Sequence, residues 1–154
     1  MGINFAEEMQ IPTFKEKPKA EYCYFMGCKS RFDEAAHRSA IGFMSILNNL
    51  GVNFAVIEEE WCCGEKTRKL GDETLFKMLA IRNIRCFENA GIKKIITTCP
   101  ICLKILKNDY HRLGGDFEVI AQADFLDDLI HKRKLQMITT NNFDLGLCHS
   151  QVFC

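Results

Sequence analysis

The sequence predicts an α/β fold, a single Rossmann-like domain with a parallel sheet of about four strands flanked by helices. Two observations carry this. Short apolar or aromatic runs alternate with longer stretches of helical periodicity, the pattern of βαβ units. The chain's cysteine clusters also follow those runs, on the sheet edge where open α/β folds bind ligands.

The elements follow in order. Residues 1–20 contain Pro12, Pro18 and the charged run Lys15-Glu16-Lys17, and read as an N-terminal linker. Residues 21–26 are aromatic-rich and strand-like, ending at Gly27-Cys28. From Asp33 to Leu50, Ala36, Ala40, Phe43, Met44, Leu47 and Leu50 recur at helical spacing. Asp33 is the expected N-cap and Gly51 the stop. Residues 52–57 form the second expected strand. A second helix is expected over 72–90, with Leu75, Leu79, Ile84 and Phe87 inward and Gly91 ending it. Residues 94–98 make a third strand, which runs into Cys99-Pro100-Ile101-Cys102 and a helix to about Tyr110. Gly114-Gly115 is a turn, residues 117–120 a fourth strand, and residues 123–134 a last helix.

With 154 residues, the chain suits one compact core. Its 20 basic and 20 acidic residues cancel. A general nucleic-acid binder would show a basic excess, so none is expected. No apolar run approaches the roughly 18 residues of a membrane span. The N-terminus has no signal-peptide pattern. Nine cysteines, an odd count with two adjacent, argue against a secreted disulfide scaffold. A cytoplasmic, thiol-rich metal or redox protein is expected instead.

The chemistry concentrates in five cysteines. Between Cys28 and Cys62 lie 33 residues, and between Cys63 and Cys99 lie 35. Cys28, the doublet Cys62-Cys63 and the pair Cys99/Cys102 should meet at one rim of the sheet. A thiolate-rich site selects zinc, copper(I) or iron–sulfur clusters. Five thiolates are one more than tetrahedral zinc uses. The helix start after Cys99 should stabilise thiolate charge. Pro100 suits a first helical turn, and Gly64 should let backbone approach the centre. Taken alone, Cys99 and Cys102 could equally be a thioredoxin-like redox pair, or two buried thiols at a helix start. Cys23, inside a strand, and Cys86, inside a helix, read as core packing. His37, His111 and His131 read as solvated, and His149 is ambiguous. Lys132-Arg133-Lys134 reads as a helix C-terminal charge run.

These residues also carry a resemblance. Cys28, Cys62-Cys63-Gly64 and Cys99-Pro100-Ile101-Cys102 resemble the cysteine-rich CCG domain found in heterodisulfide reductases, in glycolate oxidase iron–sulfur subunits and in related iron–sulfur oxidoreductases. The likeness runs over residues 21–135. It includes Tyr24-Phe25-Met26-Gly27-Cys28, Arg68-Lys69-Leu70-Gly71, Asn83-Ile84, Ile96-Thr97-Thr98-Cys99-Pro100 and Leu106-Lys107-Asn108-Asp109-Tyr110. It implies a [4Fe-4S] cluster on Cys28, Cys62, Cys63, Cys99 and Cys102; five-cysteine motifs of this kind hold a noncubane form in heterodisulfide reductases, and cubane or noncubane stays open here. It implies partners too: a second CCG domain, a ferredoxin-like domain and a flavoprotein, with association to a membrane complex left open. Residues 136–154 resemble the truncated start of a second domain, or a tail, through Phe143, Leu145, Leu147, Cys148 and His149. The chain therefore resembles a fragment, a truncated product or a split subunit. The function so implied is an electron-transfer domain or subunit of a heterodisulfide reductase-like oxidoreductase, incomplete as an enzyme alone. The alternatives are a zinc-binding structural module and a metal-free thiol–disulfide exchange domain.

Overall fold

A computed structural model of the chain describes residues 11–132. The expectations for residues 1–10, for the tail over 136–154 and for His149 lie outside the described residues. Four strands form one parallel sheet: β1 (Tyr22–Phe25), β2 (Phe54–Ala55), β3 (Lys94–Thr97) and β4 (Glu118–Ala121). Their spatial order is β2-β1-β3-β4. β1 pairs β2 on one side and β3 on the other, with Cys23 opposite both Ala55 and Ile95. The strand order thus reverses direction between β1 and β3, and the crevice beyond such a reversal is where these sheets bind ligands.

The helices are α1 (Gly27–Phe32), α2 (Glu34–Asn49), α3 (Glu65–Lys69), α4 (Glu73–Asn89), α5 (Pro100–Lys104) and α6 (Gln122–His131). A π-helical stretch, Ile105–Tyr110, directly continues α5. The two long helices begin on capping aspartates. Asp33 accepts from the Ala36 N–H at 2.8 Å, and Asp72 from the Leu75 N–H at 2.9 Å. Each satisfies a donor that the first helical turn leaves unpaired.

A parallel sheet covered on both faces wants apolar residues throughout its central strands. Cys23, Tyr24, Phe25, Ile95 and Ile96 are fully buried accordingly. Their alternation splits the core in two. Cys23, Phe25 and Ile95 pack with Phe76, Ala80, Ile84 and Phe87 of α4 and with Ile105, Leu106 and Tyr110. Tyr24 and Ile96 pack with Ala40, Phe43, Met44 and Leu47 of α2 and with Phe125 and Leu129 of α6.

Several sequence expectations need correction. The buried stripe of α4 is Phe76, Ala80, Asn83, Ile84 and Phe87. Leu75, expected inward, is 40% exposed. The stripe begins at Phe76, and Ala80 takes the place expected for Leu79, while Ile84 and Phe87 face inward as expected. Two short helices, α1 and α3, have no counterpart in the sequence pattern. Neither short helix has enough turns to show a period. Residues 11–14, read as part of a linker, form an edge of the fold. Thr13 bridges Val56 in parallel, the Phe14 N–H donates to the Val56 carbonyl at 3.0 Å, and the Val56 N–H donates to the Pro12 carbonyl at 3.0 Å. Ile11 and Phe14 are buried in the two core clusters. Proline is tolerated there because the segment lies at the sheet edge.

Ile11→Ala should therefore destabilise the protein by about 2–4 kcal/mol, the usual cost of emptying a core position. Urea denaturation followed by circular dichroism measures this. A residue in a mere linker would show no shift.

Candidate functional site

The three cysteine groups meet beyond the C-terminal edge of the sheet. Cys28 lies in α1 just after β1, Cys62 and Cys63 lie between β2 and α3, and Cys99 is the residue before α5, two residues after β3. Cys63 and Cys102 are buried, at 3% and 2% exposure, while Cys28, Cys62 and Cys99 are half-buried.

The sulfurs form a string. Cys63 accepts hydrogen bonds from Cys102 and Cys62, which draw its thiol well below the ordinary range. Cys102 is pushed up in turn by its bonds to Cys63 and Cys99. Cys62 is raised by its bond to Cys63 and by burial. Cys99 is lowered to about 6, chiefly by Cys102 and also by the backbone N–H groups of Cys102 and Ile101. These N–H donors are the open first turn of α5, where thiolate charge is stabilised. Further backbone donors serve the doublet. The Gly64 N–H reaches Cys62 Sγ at 3.5 Å, and the Glu65 N–H serves Cys63. Cys28 joins at the Cys62 end, where the two line one cleft of about 220 Å³ with Arg31, Phe32, Glu60 and Trp61. Among the described residues, no three or more His, Cys, Asp and Glu side chains are grouped as ligands of one metal ion.

Gly27 makes the close packing of sulfurs possible. Its φ is 76°, and a Cβ added there would stand 3.2 Å from Cys102 Sγ. Gly64 brings its backbone N–H to Cys62 Sγ, as expected, and it also serves the core. At φ 87°, its missing Cβ leaves space for the Phe76 ring, which a Cβ would approach to 2.9 Å.

Sequence reasoning missed Glu60. Its side chain is buried and accepts from the Met26 N–H at 2.9 Å and the Gly27 N–H at 2.7 Å. It thereby ties the doublet's loop to the Cys28 turn. Burial pushes its carboxyl up to about 7, against the pull of Arg31 and the two N–H donors. Its neighbours Glu58 and Glu59 are exposed, and nothing in a run of three glutamates marks the third as the buried one. Trp61, beside Cys62, is 40% exposed and carries the Arg82 guanidinium 3.7 Å from its ring centroid. Cys23 is fully buried and Cys86 half-buried against the same core. His111 and His131 are exposed and His37 is half-buried. A larger groove, about 420 Å³, opens at Thr13, Phe14, Ile57, Cys86 and Ala90 and contains none of the five cysteines.

The family model of the CCG cysteine-rich domain matches residues 22–107. The chain belongs to the CCG family. It is 38% identical over 117 residues to the EtfAB:quinone oxidoreductase of Syntrophomonas wolfei, covering 75% of this chain and 16% of that protein. It is 36% identical over 132 residues to a subunit of the dihydromethanophenazine:CoB–CoM heterodisulfide reductase of Methanosarcina mazei, covering 81% and 32%. With a subunit of the fumarate reductase (CoM/CoB) of Methanothermobacter marburgensis it shares 27% identity over 139 residues, covering 90% and 28%. The CCG chain thus spans a third or less of the length of these relatives. No solved structure matches it. These relatives are oxidoreductases or subunits of them, and a further relative, from Bacillus subtilis, 36% identical over 136 residues with 85% of this chain and 19% of that protein covered, is a probable iron–sulfur-binding oxidoreductase. Among the described residues, no helix is long and apolar enough to cross a membrane.

Glu60→Ala should leave two N–H groups at the Cys28 turn without their partner and lower stability by roughly 1–3 kcal/mol. Hydrogen exchange should then speed up selectively at the Met26 and Gly27 amides. Unchanged exchange at both would show that Glu60 does not hold the turn.

Proposed function

We propose that this chain is an electron-transfer domain of a larger iron–sulfur oxidoreductase, and that Cys28, Cys62, Cys63, Cys99 and Cys102 hold a [4Fe-4S] cluster. What supports this is the gathering of five thiols from three separate turns on one rim of a CCG-family sheet. When bound, such a cluster supplies one-electron chemistry at a potential tuned by charge, hydrogen bonds and exposure. The chain's own residues supply the rest. Cys63 and Cys102 form the buried side of the site, and Cys28, Cys62 and Cys99 its solvent-facing side. The N–H groups of Gly64, Glu65, Ile101 and Cys102 offset sulfur charge. A string of sulfurs suits a multi-iron group better than one tetrahedral ion, whose four donors converge on a point. The fifth thiol leaves room for the noncubane form. A second CCG domain, a ferredoxin-like domain or a flavoprotein would supply the other redox centre that a two-electron reaction needs.

A metal-free reading has one observation in its favour. Cys99 is lowered to about 6 beside Cys102, as in thiol–disulfide exchange pairs. One experiment separates the readings. After anaerobic reconstitution, the full chain should contain about four irons and four sulfides, with brown colour. Cys62→Ala, Cys63→Ala and Cys99→Ala should lose or remodel the cluster, and Cys86→Ala should keep it. Stoichiometric zinc with no iron uptake would sink the proposal, as would equal cluster loss in Cys86→Ala.

A further inference from the structure

Beyond the thiols and Glu60, one buried polar network touches the doublet. Asn83 of α4 and Tyr110, the last residue of the π-helical stretch, are 1% and 0% exposed. Asn83 Nδ2 donates to the Tyr110 hydroxyl at 2.9 Å and, through a hydrogen shared between two acceptors, to the Trp61 carbonyl at 3.2 Å and the Cys62 carbonyl at 3.3 Å. Its Oδ1 accepts from the Trp61 N–H at 3.3 Å. The Tyr110 hydroxyl donates to the Cys63 carbonyl at 3.2 Å. Every backbone carbonyl from Trp61 to Cys63 is therefore held by these two side chains.

The π turn explains how Tyr110 gets there. In an unbroken α-helix, the eight residues from Cys102 to Tyr110 would leave the two side chains about 80° apart. A π turn bonds i to i+5 and so advances less per residue. Cys102 and Tyr110 consequently both meet Cys63, one at its sulfur and one at its carbonyl. Such π turns recur at functional sites. Here the turn brings a hydroxyl to a loop with little regular structure of its own.

We propose that Asn83 and Tyr110 are a positioning pair that fixes the Trp61–Cys63 backbone and with it the direction in which the two adjacent thiols point. Peptide carbonyls left loose next to the doublet would let it turn over, exchanging which thiol is buried. Cys63 is buried and Cys62 half-exposed, and the pair maintains that asymmetry. The proposal deepens the iron–sulfur reading but rests first on the geometry of the protein's own groups.

The test uses the full chain, without metal, and follows iodoacetamide alkylation of each cysteine by mass spectrometry. Tyr110→Phe removes one hydroxyl and keeps the ring in the core. Asn83→Leu removes the other half of the network. Loss of a buried hydrogen bond of this kind should make local opening roughly tenfold more frequent. Cys63 should therefore alkylate about tenfold faster in Tyr110→Phe, with Cys23 unchanged. Phe87→Leu, a core variant away from the loop, serves as the control for general loosening. It should speed Cys23 and Cys63 together. A rise at Cys63 no larger than the rise at Cys23 in Tyr110→Phe overturns the proposal. In reconstituted protein, Tyr110→Phe should shift the electron paramagnetic resonance spectrum at equal iron content, and an unaltered spectrum overturns it as well. Should the wild type take up no iron, the iron–sulfur reading fails while the alkylation comparison still decides the role of the pair.

Discussion

Everything at the sulfur rim depends on β1 and β3 lying side by side in parallel. Because both strands run the same way, their following turns emerge at the same edge. Cys28 and Cys99, 71 positions apart in sequence, then become neighbours of one crevice. Any antiparallel pairing would send one of them to the opposite end of the sheet. The register matters as much as the direction. Phe25 opposite Thr97 sets Gly27 against Cys102, with no side chain in between. The fully buried faces of Cys23, Phe25 and Ile95 hold that register, since a one-residue slip would exchange the two core clusters.

The rim concentrates groups that oppose one another. Thiolates crowded together repel, and burial disfavours each charge. Glu60 adds a carboxylate to the same neighbourhood and is itself pushed towards the neutral form. The fold answers with backbone donors, which cannot be titrated away, and with few side-chain cations. Arg31 stands on the cleft, and Arg68 is turned towards Asp109 and Glu73. A site so arranged stays tolerant of a positively charged occupant, because the protein has not neutralised its own sulfur.

The regular elements are legible because they are periodic. Asp33 and Asp72 announce their helices by capping chemistry, and the alternation of strand and helix forces the parallel sheet. The cysteines are legible as a constellation because their spacing matches the turns after successive strands. What escapes the sequence is of another kind. Glu60, Asn83 and Tyr110 act through hydrogen bonds across 21 to 47 positions of sequence, and side-chain type alone does not reveal such partners. Asn83 sits on a helix face otherwise filled by Phe76, Ala80 and Phe87, where a polar residue looks like a surface one. Leu75 fails for the complementary reason: an apolar side chain at the margin of a stripe fits the period and still faces water. The π turn leaves no trace in a hydrophobic pattern of only six residues.

Trp61 is the chain's single tryptophan, and it is the residue immediately before the doublet. Stacked under Arg82 and partly open to solvent, it has an indole whose surroundings change whenever the loop carrying Cys62 moves. The chain therefore contains its own optical reporter. Near-ultraviolet emission from indole comes from one place, beside the sulfur rim, and any strongly absorbing group lodged there would quench it by energy transfer. Occupancy and loop rearrangement could be followed in a cuvette without attaching a dye.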